Sequence, residues 1–207
     1  MLNSNISFIR TGPLLVVFEG IDGSGKTTQA RLLADKLERK GLDVLLTSEP
    51  SDGPVGSVIR SLKRRPELEE ETRLFTEDRR DHVKRIILPA LRNGRIVLCD
   101  RYFYSSAAYQ GARGADPNAI CECNREFAPL PDITLLLEIP VEDAIARISS
   151  GRTDGFSVFE FRENLEAVNA IYRSLKDPSI KRIDARGSLE QVHSRIFDII
   201  LNVISPK

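Results

Sequence analysis

Three glycines, a lysine and two threonines follow an apolar stretch in "VVFEGIDGSGKTTQARLL". The spacing fits G-x-x-x-x-G-K-[ST], with Gly20, Gly25, Lys26 and Thr27 in the fixed places. Glycines there let the backbone turn tightly and aim successive N–H groups inward, a nest for anionic oxygens. A helix that starts at the end of the loop adds the positive end of its dipole to the same spot. Lys26 is then the residue to hold β- and γ-phosphates, and the Thr27 hydroxyl the one to ligate Mg²⁺. The plain alternative is a glycine-rich turn, and the flanks argue against it. "LLVVF" before the loop is strand-like; "TTQARLLADKLERKG" after it is helical, with Ala30, Leu33, Ala34 and Leu37 on one face and a stop at Gly41. The segment Gly20, Ile21, Asp22, Gly23, Ser24, Gly25, Lys26, Thr27 and Thr28 therefore reads as a phosphate loop that takes a nucleoside triphosphate. Such loops serve kinases, ATPases and GTPases alike, so the reaction stays open at this point.

Other candidates lie further along. Asp100 directly follows the apolar "RIVLC", where a carboxylate can help organise Mg²⁺, although it could equally cap a helix. Arg101 beside it is an odd choice for a cap, because a cation at a helix N-terminus opposes the dipole unless an anion is bound. "LFTEDRRDH" carries Phe75 four residues before Arg79, on one helix face. A ring and a guanidinium so placed could stack on a base and hydrogen-bond its edge, but an aromatic on a helix is more often core. Arg80, in the same mixed charge run, reads as a solvated ion-pair former.

The elements that must position these residues alternate. Strands are expected over 14–18, 44–47, 96–99, 133–139 and 181–184. Helices are expected over 27–40, 55–64, 69–93, 104–111, 141–149, 160–175 and 188–204, the third kinking at Pro89 and the last opening on a capping box of Ser188 and Gln191. Short apolar strands separated by helices imply a parallel sheet covered on both faces, with ligands beyond the carboxyl ends of its strands. At 207 residues the chain is expected to be a single domain, with about 1–12 as an N-terminal arm. Lys+Arg and Asp+Glu balance at 30 each, which gives no field for nucleic acid or an anionic membrane. Apolar runs are too short to span a bilayer, and the start lacks a signal-peptide core. Cys99, Cys121 and Cys123 make no disulfide framework, and the C-x-C pair has too few companions for a metal site. A reducing, cytoplasmic location is the expectation.

Five segments, "FEGIDGSGKTTQ", "LFTEDRRDHV", "CDRYFYSSAAYQG", "LPDITLLLEIP" and "IDARGSLEQVHSRI", resemble in that order the thymidylate kinase family. "DRYxxSxxAYQ" is the most specific of them, and the likeness covers nearly the whole chain from the first strand onward. The resemblance implies an α/β, three-layer P-loop fold with a five-stranded parallel sheet and helices on both faces. It implies phosphoryl transfer from ATP to dTMP with Mg²⁺, giving dTDP and ADP for dTTP synthesis, usually by a homodimer. It gives Asp22 a place near the acceptor sugar, Phe75 the stack on thymine, and Arg79 the base edge. Arg101 is matched to the acceptor phosphate, Ser105, Ser106 and Gln110 to the base pocket, and Tyr109 to the sugar face that excludes a 2′-hydroxyl. Glu49 matches the glutamate of the family's "REP" segment.

The chain departs from the family at three points. Ser48 stands where arginine usually precedes Glu-Pro. The lid, about 149–159 ("SSGRTDGFSVFE"), has Ser157 and Val158 where Asp and Arg are usual. The phosphate loop lacks the arginine that some members carry between Asp22 and Lys26. Arg152, flanked by Gly151 and Gly155, is then the candidate lid cation, with Arg147 its competitor. Lys26, Thr27-bound Mg²⁺, Arg101 and such a lid would share the developing charge. Two alternatives stand beside this expectation: a kinase for another nucleoside monophosphate such as dUMP, and a catalytically weak nucleotide-binding regulator.

Overall fold

The structure is a computed structural model that describes residues 12–149 and 158–204, for 158–161 the backbone alone. The expected N-terminal arm, most of the expected lid and Arg152 lie outside the described residues.

Five strands, β1 (Leu14–Glu19), β2 (Val44–Ser48), β3 (Ile96–Asp100), β4 (Ile133–Glu138) and β5 (Ile180–Asp184), form one sheet in the order β2-β3-β1-β4-β5. Every pairing is parallel, with Leu14 opposite Ile96 and Val16 opposite Ile133. All five fall where the sequence puts them, within a residue or so at each end. β1 and β3 are buried along their whole length, whereas the edge strand β2 exposes alternate residues and β5, at the other edge, exposes three of its five. A central strand covered on both faces has no solvent side, which is why "LLVVF" and "IVLC" carry no polar alternation. Strand order reverses at β1: the chain goes to β2 and β3 on one side, then to β4 and β5 on the other. The phosphate loop leaves the carboxyl end of that strand, at the switch point where such sheets open a crevice.

Helices α1 (Lys26–Glu38), α2 (Pro54–Ser61), α3 (Leu68–His82), α4 (Leu88–Arg92), α5 (Phe103–Gly111), α6 (Pro117–Arg125), α7 (Val141–Ser149), α8 (Val158–Ser174) and α9 (Leu189–Ile204) surround the sheet. α1 packs on β1, β2 and β3 and against α9, and its Ala30, Leu33, Ala34 and Leu37 are buried as their spacing requires. α9 opens on both halves of the expected box: the Ser188 N–H donates to Gln191 Oε1 and the Gln191 N–H to Ser188 Oγ.

Two local expectations are corrected. The expected helix over 69–93 is interrupted by a π-helical turn, Val83–Ile87, where the Leu88 N–H reaches back to Val83 O. Pro89 has no N–H to give, and its ring would crowd the carbonyl four residues before it; one wider turn ahead of the proline accommodates both. α6 was not expected at all. It begins at Asp116-Pro117, where Asp116 accepts from the Asn118 N–H and Pro117 fills the first turn. Its sequence is polar enough to read as loop, and it is held by packing on α5.

Candidate active site

The phosphate loop is tight because two of its three glycines press against backbone. A β-carbon on Gly20 would stand 2.5 Å from Leu137 O, and one on Gly23 2.5 Å from Ala144 O. Both residues also have positive φ, 139° and 81°, so side chains are excluded twice over. Lys26 opens α1, is 5% exposed and donates to Ile21 O at 2.9 Å. Burial and the neighbouring Arg101 pull its pKa down to about 7, against the opposing pull of Asp22, Asp100 and Glu19. An ammonium held in this way gains most when an anion arrives. Ser24 Oγ, buried in the same loop, has no partner among the described residues.

At the far end of the loop Thr27 Oγ1 donates to Asp100 Oδ2, a close contact between the first turn of α1 and the end of β3. Asp100 Oδ1 is buried and has no partner among the described residues. A hydroxyl and a carboxylate with an oxygen to spare are the hard donors that Mg²⁺ takes, so these two residues fit that ion. Thr28, one residue on, is exposed.

Arg101 turns the chain from β3 into α5 with φ 72°, a left-handed conformation that non-glycine residues seldom adopt. Its N–H donates to Phe18 O at 2.9 Å. Strain of about 1–3 kcal/mol of this sort persists where the surroundings hold it, and it collects at functional sites. The guanidinium pairs with Asp22 and lies 5.3 Å from the Tyr109 ring centre. Burial works to lower the Arg101 pKa, but Tyr109 and Asp22 keep it above its ordinary value. Asp22 is drawn below its own by Arg101 and Lys26 despite burial. The Asp22 N–H donates to the Tyr109 hydroxyl at 3.0 Å. Through these contacts the phosphate loop forms one wall of a neighbouring cavity.

That cavity, of ≈ 250 Å³, is lined by every residue that the resemblance puts at the acceptor: Asp22, Glu49, Phe75, Arg79, Arg101, Ser105, Ser106, Tyr109 and Gln110. Phe75 is half-buried and faces the cavity instead of joining the core, which removes the objection that a helical aromatic belongs inside. Arg79 is 1% exposed and paired with Glu49 at 2.7 Å. Arg80 is exposed and covers the Phe127 ring at 4.5 Å, outside the cavity. Gln110 Oε1 is buried without a partner among the described residues. Glu49, His82 and Cys99 bring three metal-ligand types within 4.8 Å, but Arg79 already supplies the cation there. Cys99 is a buried thiol with its pKa well above the usual range.

Sequence reasoning passed over several groups. Glu19 ends β1 fully buried and accepts from the N–H groups of Tyr102 and Ser105 and the hydroxyls of Ser105 and Tyr172. It thereby caps α5 from another strand, and burial raises its pKa. A charge closing the apolar "LLVVFE" was the available signal. Glu71, clasped by Arg65 and Arg113 at the cavity rim, was hidden in an acidic run. Ser48 lines a second, polar cavity of ≈ 440 Å³ with Thr27, Asp100, Arg31 and Arg60. Two arginines thus border the space where the family's arginine is missing. Arg147 reaches from α7 to Gly23 O at 3.5 Å and Ala185 O at 3.1 Å, beside the phosphate loop.

The family model for thymidylate kinase matches residues 18–196. The chain belongs to the thymidylate kinase family. It is 48% identical over 192 residues to a thymidylate kinase of Desulfotalea psychrophila, covering 91% of this chain and 93% of that protein. A probable thymidylate kinase of Pyrococcus horikoshii is 44% identical over 198 residues, 89% of this chain and 94% of its own length. The crystal structure of a thymidylate kinase from Ehrlichia chaffeensis superposes with a TM-score of 0.75 at 29% identity, covering 91% of this chain and 99% of that one. Family membership makes this chain a phosphotransferase with a P-loop fold. No helix among the described residues is long and apolar enough to cross a membrane.

Proposed function

We propose that the chain transfers the γ-phosphoryl group of ATP to dTMP, giving ADP and dTDP. The observation that carries this reading is the Arg101–Asp22 pair, which joins the phosphate loop to a cavity walled by Phe75, Arg79 and Tyr109. ATP sits on residues 20–28 with Lys26 at its outer phosphates, and the acceptor lies with its base on Phe75, its sugar against Tyr109 and its phosphate at Arg101. Ser105, Ser106 and Gln110 surround the base, and Glu49 braces Arg79 from behind. The attacking group is already a phosphate oxygen, so no general base is required; alignment and charge neutralisation do the work. Thr27 and Asp100 would hold Mg²⁺, which would supply charge neutralisation at the phosphates when bound. The lid cation's role is assigned to Arg152, which lies outside the described residues. The working enzyme is a homodimer of the reducing cytosol, a reading supported by the family resemblance and by three free thiols.

ADP release measured with dTMP, dUMP, dGMP, dCMP and UMP tests the assignment. dTMP should give the highest kcat/KM, with dUMP behind it by the roughly 10–200-fold that one methyl group is worth. Faster turnover of another monophosphate would move the assignment to that substrate. ATP binding without ADP release on any of them would favour a regulatory protein.

A further inference from the structure

Arg79 stands behind Phe75 in the cavity wall, and three elements fix its guanidinium. Glu49 Oε2, beyond β2, accepts from Nε at 2.7 Å; Ser106 Oγ, on α5, accepts from Nη2 at 3.0 Å; Asn124 Oδ1, on α6, accepts from Nη1 at 2.8 Å. Glu49 and Ser106 both line the cavity, while Asn124 does not. Asn124 is nevertheless 1% exposed, and both ends of its amide are engaged, since Nδ2 donates to Ile120 O at 2.8 Å. Which way that amide faces is therefore set by a helix carbonyl one turn back. The oxygen is presented to Arg79, and a flipped amide would set two donors against each other.

We propose that Asn124 is a positioning residue for Arg79, holding one Nη1 N–H so that the other, the one N–H of the fork that these contacts leave open, is aimed at the base edge. The inference rests on reading the cavity as the acceptor's base pocket. Glu49 Oε2 lies 2.7 Å from both Nε and Nη2 and neutralises the arginine from that side, but neither Glu49 nor Ser106 touches Nη1; the bond from Asn124, on a separate helix, fixes that end of the fork. A fixed N–H favours a pyrimidine with a carbonyl at position 4, which accepts, over one with an amino group there, which brings a donor against a donor. Asn124 thereby contributes to selecting dTMP over dCMP without touching either. It also gives α6, a helix the sequence hardly announces, a part in recognition.

The test uses Asn124→Leu, which removes the acceptor at similar volume, beside Asn124→Asp, which keeps an oxygen facing Nη1. Arg79→Lys is the control on the pocket itself. Asn124→Leu should raise the dTMP KM about tenfold with kcat and the ATP KM nearly unchanged, and narrow the dTMP-over-dCMP ratio of kcat/KM by a similar factor. Asn124→Asp should restore most of the dTMP affinity. If thermal melts show Asn124→Leu unfolded, Asn124→Ala is read in its place by the same criteria. A folded variant without the acceptor that keeps wild-type dTMP KM, while Arg79→Lys raises it, overturns the role of Asn124 alone. Equal KM increases in Asn124→Leu and Asn124→Asp also overturn it. A wild-type dTMP KM in Arg79→Lys removes the base-pocket reading and this inference with it.

Discussion

The phosphate loop and the acceptor cavity touch at the Asp22–Arg101 pair, yet they are built from different materials. The loop is a single run of nine residues, 20–28, whose binding groups are mainly backbone N–H donors shaped by glycine. The cavity draws side chains from the end of β2, from α3 and from α5, and an arginine buried in its wall needs a partner from α6. The donor half is therefore written locally and tolerates little change in its backbone. The acceptor half depends on how remote elements meet, and its specificity can be altered one side chain at a time. If that division holds, substitutions in the two halves should fail in different ways.

The largest effect is expected at Lys26. Lys26→Ala should lower kcat for ADP release with dTMP by about 10³-fold or more, because a point charge on the phosphates is lost in a dry site. The same variant should melt no lower than wild type, since a buried ammonium costs desolvation in the free protein. Wild-type turnover in Lys26→Ala would remove the phosphate-loop assignment. Arg152→Ala should follow, with a loss of about 10²–10³ in kcat at saturating substrates and little change in either KM. Arg147→Ala is its comparison: a drop confined to Arg147→Ala would move the lid role to the arginine that already touches Gly23 and Ala185.

Phe75 sharpens the comparison from the other side. Phe75→Ala should raise the dTMP KM about 10–100-fold, the worth of one base stack, and leave the ATP KM alone. A core phenylalanine would instead cost about 3–5 kcal/mol of stability. A large fall in Tm with unchanged dTMP KM would return Phe75 to the core.

The smallest effect concerns pH. With Lys26 lowered to about 7 in the free protein, its ammonium predominates below that pH and is lost above it. ATP binds the charged form and restores it, so binding should take up a proton above pH 7. Apparent ATP affinity should then fall by up to about tenfold per pH unit as pH rises from 7. Calorimetry in buffers of different ionisation enthalpy reads the proton directly. Binding without proton uptake between pH 7.5 and 9 would contradict the coupling of Lys26 to phosphate.

What was legible in the chain follows the same division. The loop, its strand and its helix could be read from residues in a row, because glycine spacing and apolar burial are local facts. The central strands were equally plain, being continuous apolar runs. The acceptor residues were different: spacing put Phe75 and Arg79 on one helix face, but only the family resemblance singled out Ser105, Ser106 and Gln110. Asn124 could not be found, since a polar residue in "NAICECNREF" looks solvated until α6 packs on α5. The π turn before Pro89 was equally silent, because a proline announces a disturbance without saying which turn absorbs it.

The most direct test of two separately built half-sites is equilibrium binding of both nucleotides to Lys26→Ala and Phe75→Ala by calorimetry. Lys26→Ala should lose ATP affinity and keep dTMP, while Phe75→Ala should lose dTMP and keep ATP. Parallel loss of both ligands in either folded variant, or dTMP binding untouched in Phe75→Ala, would contradict the account.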